Sequence, residues 1–185
     1  MLHSLTTSTP RQNRRHRLLL VIPMLVLSPV MARAQSLTAK DVQIVGKALG
    51  FLDPAAATGV VAVVYNPADP ASKQDADAIT EAFGGGISGA SSSYTAKSVS
   101  TADLGDGTGY VAIIAASGAA GDQTVAAAHA RKMLCITGDK TAVQAGKCVM
   151  TVSSDPTVAI EVSTSAASAA GVSFASAFRM MITEI

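Results

Sequence analysis

Two apolar rhythms alternate along the chain from position 38 onward. "TAKDVQIVGKALGFLDP" (38–54) sets Val42, Val45, Leu49 and Leu52 on one helical face. It opens on Thr38 and Asp41 at capping-box spacing and stops at Asp53-Pro54. "GVVAVVY" (59–65) has no charged position, the pattern of a strand covered on both faces. Asp69-Pro70 then offers an N-cap and a proline at the first helical position, predicting a helix up to the glycines at 84–86. "YTAKSVS" (94–100) reads as a weak strand and "GYVAIIA" (109–115) as a strong one. "DQTVAAAHAR" is helical, "KMLCIT" (132–137) a strand, "DKTAVQAG" a short helix, and "KCVMTV" (147–152) and "VAIEVS" (158–163) strands. This alternation predicts one α/β domain with a mainly parallel sheet and helices on both faces. The last two strands, joined by "SSDP", fit a hairpin at one edge of the sheet.

After that hairpin the sequence becomes a run of small residues. Ser163, Thr164 or Ser165 can cap a short helix, "SAASAA", that ends at Gly171 in the left-handed conformation. Phe174, Phe178, Met181 and Ile185 then recur at helical spacing, predicting a final helix whose apolar stripe packs on the sheet. The alternative is that the stripe serves as a homodimer or partner surface.

The first 34 residues follow a different logic. "RQNRRHR" is a positive stretch, "LLLVIPMLVLSPV" (18–30) a short apolar core broken by prolines, and "ARA" sets Ala32 and Ala34 before a cut. This is the layout of a secretory signal peptide, cleaved after Ala34. Residues 35–185 are then the single folded domain, exported to the periplasm. The cut also changes the charge: residues 1–34 hold five of the 14 Lys/Arg and no acid, so nine bases face 13 Asp/Glu afterwards. A mildly acidic domain without a basic cluster is not built for nucleic acid or anionic lipid.

Candidate chemistry is sparse. His129 is the only histidine after position 34, and it sits among alanines, so neither a metal site nor a Ser-His-Asp site has its partners. "FGGGISG" (83–89) follows a helix, whereas a phosphate loop follows a strand, and it reads as a helix cap and loop. "DLGDGTG" (103–109) lacks calcium-loop spacing and reads as a turn around Asp106-Gly107. No enzyme, cofactor or metal is expected; a hydrolase built on Ser72 or strand-end Asp residues lacks its histidine. Cys135 and Cys148 are the only cysteines, and in an exported chain such a pair is expected to bridge.

Two resemblances sharpen this. "AIEVSTSAASAAGVSFASAF" resembles the C-terminal signature of the YfiR-like family of periplasmic proteins: a strand end, an Ala-rich helix, then Ala-Gly and Ser followed by large apolar residues. Ile160, Glu161, Val162, Ala166, Ala167, Ala170, Gly171, Val172, Ser176 and Phe178 carry it, and "KMLCITGDKTAVQAGKCVMTV" resembles the preceding family segment. The resemblance implies a non-enzymatic regulator of an inner-membrane signalling partner, such as a diguanylate cyclase, in biofilm control. "VAVVYNPADPASKQDADAI" looks like the strand-loop-helix that opens one lobe of ABC-type periplasmic substrate-binding proteins, which implies instead a one-lobe solute-binding module serving a permease or sensor. Open α/β sheets bind ligands at the carboxyl ends of their strands, so the ligand-binding candidates are Tyr65, Asn66, Ser72, Ala116 and Ser117.

Overall fold

The structure, a computed structural model, describes residues 35–88 and 92–185. The leader predicted for 1–34 lies outside them.

Apolar runs without a polar break become the central strands. β1 (Thr58–Tyr65) sends Val61 and Val63 to one face of the sheet and Ala62 and Val64 to the other, all four with no exposed surface. β4 (Ala112–Ala115) and β5 (Leu134–Thr137) are buried throughout in the same way. The remaining strands are β2 (Ile87–Ser88), β3 (Ser93–Ser100), β6 (Met150–Ser153), β7 (Ala159–Val162) and β8 (Thr183–Glu184). Their spatial order is β2-β3-β1-β4-β5-β6-β7-β8. β3, β1, β4, β5 and β6 run parallel, β2 and β7 antiparallel to their neighbours, and β8 parallel to β7.

Helices cover both faces, as the alternation predicts. α1 (Ala39–Leu49) and α2 (Pro70–Phe83) put Val42, Val45, Leu49, Ile79 and Phe83 into the core on one face, with α5 (Thr164–Ala170) adding Ala166, Ala167 and Ala170. α3 (Asp122–Arg131) and α4 (Lys140–Gln144) supply Ala127, Ala128 and Val143 to the other. Thr38 and Asp41 form the expected capping box, Asp69 caps α2 ahead of Pro70, Ser163 caps α5, and Gly171 is left-handed at φ 65°. "YTAKSVS" is no weak strand: β3 pairs with β1 along eight residues.

Several expectations need correction. β4 starts only at Ala112, because Gly107 and Gly109 take positive φ and turn the chain ahead of it. β6 starts at Met150, leaving Cys148 just ahead of the strand. The β6–β7 hairpin forms but is not the edge, since β8 lies outside β7. Above all, the final apolar stripe is not a helix. α6 is one turn (Ser176–Arg179), preceded by an extended stretch held by Asp53 N–H donating to Ser173 O and Ala175 N–H donating to Phe51 O, at 2.9 and 2.8 Å. Phe178 stacks on Phe51 and Phe174 at 5.3 and 5.2 Å, so the aromatic half of the stripe is core. Met181 and Ile185 stay 58% and 43% exposed, because the chain beyond α6 is drawn out to pair with β7.

Candidate functional site

The carboxyl edge of the sheet has one point where the strand order reverses: β1 neighbours β3 on one side and β4 on the other. The loops leaving β1 and β4 diverge there, and ligands of open α/β sheets settle in such a crevice. Val64 pairs with Ala115, so the residues that follow, Tyr65 and Ala116, emerge side by side. The five predicted residues therefore do gather at this edge, but they divide by role.

Ser72 has no exposed surface, and its Oγ accepts from Asn66 N–H at 2.9 Å. Asn66 Oδ1 in turn accepts from Ala68 N–H at 3.0 Å. Both side chains hold the β1–α2 loop in place, and neither lines the two cavities described below. The half-buried Tyr65 ring lies 5.2 Å from Lys73 Nζ, a cation–π contact at the loop rather than a cavity wall. Ala116 and Ser117 do line cavities. Ser117 N–H donates to Asp75 Oδ2 at 2.7 Å, and its cavity of about 550 Å³ is shared with Gln35, Ser36, Gln74 and Asp75.

The segment just ahead of α1 closes part of this edge. Ser36 Oγ donates to Asp75 Oδ1, and the Gln35 carbonyl lies against the backbone of Gly138, in the loop between β5 and α4. Leu37 is buried in the core beside Val42 of α1, the arrangement of a hydrophobic staple.

One strand further on, a cavity of about 320 Å³ opens between the carboxyl ends of β4 and β5. One wall is the β4–α3 loop, with Ala116, Gly118 and Gly121; the other carries Thr137, Asp139, Thr141 and Lys147. Sequence reading missed this loop. "AASGAAGD" leaves a strand and opens a helix, the order that "FGGGISG" lacks, and its glycines and alanines leave the backbone accessible. Gly118 takes φ 73°, and α3 begins at Gly121 with no side-chain cap. Opposite, Thr137 Oγ1 accepts from Asp139 N–H at 3.1 Å, and Asp139 Oδ1 caps α4 through Thr141 N–H at 2.9 Å. Lys147 makes no ion pair among the described residues, so its ammonium is available to an anionic group.

That second wall is held by covalent chemistry. Cys135 and Cys148 form a disulfide with Cα atoms 4.8 Å apart, as expected, and Thr137 through Lys147 lie inside the loop it closes. A 2.6 Å pair between Lys140 and Glu161 ties α4 to β7.

The remaining candidates have structural roles. His129 is exposed in the last turn of α3, and no cluster of three or more potential metal ligands occurs among the described residues. "FGGGISG" is a helix cap followed by β2, with Gly84 at φ 51°; Gly89 lies outside the described residues. In "DLGDGTG", Asp106 accepts from Thr108 and pairs with Arg131 of α3. Hydrogen bonds from the Thr108 side chain and from Arg131 lower its pKa to about 2. No described helix is long and apolar enough to cross a membrane.

No family model and no curated protein matches this chain. A crystal structure of a conserved domain protein from Vibrio cholerae is similar to it in fold, with a TM-score of 0.54 at 12% sequence identity. The alignment covers 80% of this chain and 60% of that one, so this chain spans somewhat less than two thirds of the other's length.

Proposed function

We propose that this protein is an exported, non-catalytic binding protein that senses a small anionic ligand at the carboxyl edge of its sheet and regulates a membrane signalling partner. The observation that carries the reading is the cavity between β4 and β5. It offers a free lysine, an uncapped helix start and small backbone-exposing residues, a set that binds rather than reacts. Its carboxylate, Asp139, is engaged in capping α4, and no histidine or thiol stands near. The secretory layout of residues 1–34 and the disulfide support an oxidising periplasmic home. The YfiR-like signature of the C-terminal segment supports a regulator of an inner-membrane diguanylate cyclase over a one-lobe transport module.

Two measurements test this. Thermal-shift screening of the purified protein against small carboxylates and phosphates should find a stabilising ligand whose effect Lys147→Ala reduces by about tenfold in affinity. Deleting the gene in its source organism should change cyclic-di-GMP levels and leave solute uptake unchanged. Uptake that falls while cyclic-di-GMP stays constant would move the assignment to a transport module.

A further inference from the structure

The switch point itself, where ligands of this architecture ordinarily sit, is not open in this chain. Gln35 and Ser36 line the 550 Å³ cavity beside α2, and Gln35 reaches Gly138, whose neighbours Thr137 and Asp139 line the 320 Å³ cavity at β4/β5. Ser36 is tied to Asp75 on the α2 side, and Gln35 presses on Gly138 on the β5 side. The two cavities meet the same strand end on consecutive residues, Ala116 and Ser117, and this short segment runs across that end from Asp75 to Gly138.

We propose that Gln35–Ser36 is a removable strap that shuts the switch-point crevice, and that its release joins the two flanking cavities into one groove along the carboxyl edge. The segment is built to peel rather than to unfold. Both residues are exposed, and among the described residues their one side-chain tie is the Ser36–Asp75 hydrogen bond. Leu37, buried to 6%, is the fixed point at which peeling stops, so α1 keeps its place. Asp75 retains its bond from Ser117 N–H when Ser36 leaves, so the opened crevice keeps its shape.

Gly138 gives a specific handle. A Cβ there would lie 1.9 Å from the Gln35 carbonyl oxygen, a backbone atom that cannot rotate away. Gly138 does not take a positive φ, so alanine suits its own backbone and strains only the contact with the strap. Gly138→Ala should therefore hold the strap open, and Ser36→Ala should loosen it.

The test uses Ser117→Cys as the single free thiol, since the native pair is bridged. The rate of its reaction with N-ethylmaleimide is measured in the full exported chain alone, with Ser36→Ala and with Gly138→Ala. Labelling should accelerate in that order, with Gly138→Ala about tenfold or more faster, as expected for release of a locally stable closed state. Hydrogen exchange guards against damage to the β5–α4 loop: the Ser36 amide should exchange faster while Ala142 and Val143 keep their protection. Equal labelling rates in all three proteins would overturn the proposal, and so would loss of α4 protection with the strap amide unchanged. Neither readout needs a ligand, so the strap stands or falls separately from the binding function proposed above.

Discussion

The loops that leave β1 and β4 stand side by side at the same edge, and they solve the same problem in opposite ways. The β1–α2 loop is rich in side chains that bond to backbone: Asn66 takes Ala68 N–H, Asp69 takes Ala71 N–H, and buried Ser72 takes Asn66 N–H. Prolines at 67 and 70 remove two more donors. The β4–α3 loop has glycine and alanine instead: its Ser117 N–H goes to Asp75 on α2, Ala119 and Gly121 N–H bond within its own backbone, and it opens its helix without a cap. A loop that satisfies its own donors is a structural corner. One that leaves them uncapped beside a cavity and a lysine is a place for a guest.

The largest effect should come from the wall facing the uncapped loop. Replacing both Cys135 and Cys148 with alanine releases a 13-residue connection, and its loop-closure entropy predicts a loss of about 3 kcal/mol in denaturant unfolding. Ligand affinity should fall with it, because Thr137 to Lys147 are no longer held; unchanged affinity would mean that the β4–α3 loop binds alone.

The self-satisfied loop should respond through stability only. Ser72→Ala removes the buried hydroxyl that holds the half-buried Asn66 N–H, at a cost of about 1–2 kcal/mol. Ligand affinity should not change. A variant that folds normally and loses binding would restore Ser72 to the ligand site.

Converting the open loop into the closed kind is a finer test. Gly121→Asp adds an N-cap to α3 at φ −100°, where no atom lies within 4 Å of the new Cβ. The gain should be a few tenths of a kcal/mol in thermal or denaturant unfolding. An anionic ligand should bind far more weakly, now opposed by a carboxylate and denied the amides it used.

The smallest effect lies at the remote Asp106–Arg131 tie. Asp106 has its pKa lowered to about 2 in the fold, from 3.8 when free. Its contribution is therefore complete above about pH 4 and is lost as pH falls through 2. Between neutral pH and pH 2 Asp106→Asn should lose slightly less stability than the parent in acid unfolding. More than half of this side chain is open to solvent, which keeps the difference small.

The contrast between the two loops also explains what could be read from the sequence. Strands such as "GVVAVVY" and caps such as Asp69-Pro70 announce themselves through local pattern, and the central sheet, α1, α2 and α5 follow. Tyr65, Asn66 and Ser72 were drawn to attention by the same polar side chains that turn out to be occupied internally. "AASGAAGD" has nothing but small residues to offer, so its signal is positional: a strand before it, a helix after it, and no capping side chain between. The C-terminal stripe misled for another reason. Phe174, Phe178, Met181 and Ile185 have helical spacing, but Phe174 bridges to Leu52, 122 positions earlier, and that long-range pairing overrides the local period.

The same long reach shapes how the chain can close. Thr38 and Lys40, at the start of α1, meet Ser154 across separations of 116 and 114 residues. Leu52, just past the helix, waits for Phe174. α1 can meet α2 and β2 early, but a nascent chain shorter than about 154 residues holds Val42 and Val45 without the β6 side of their cover. That side of the α1 core closes only when β6 and the loop carrying Ser154 have been made.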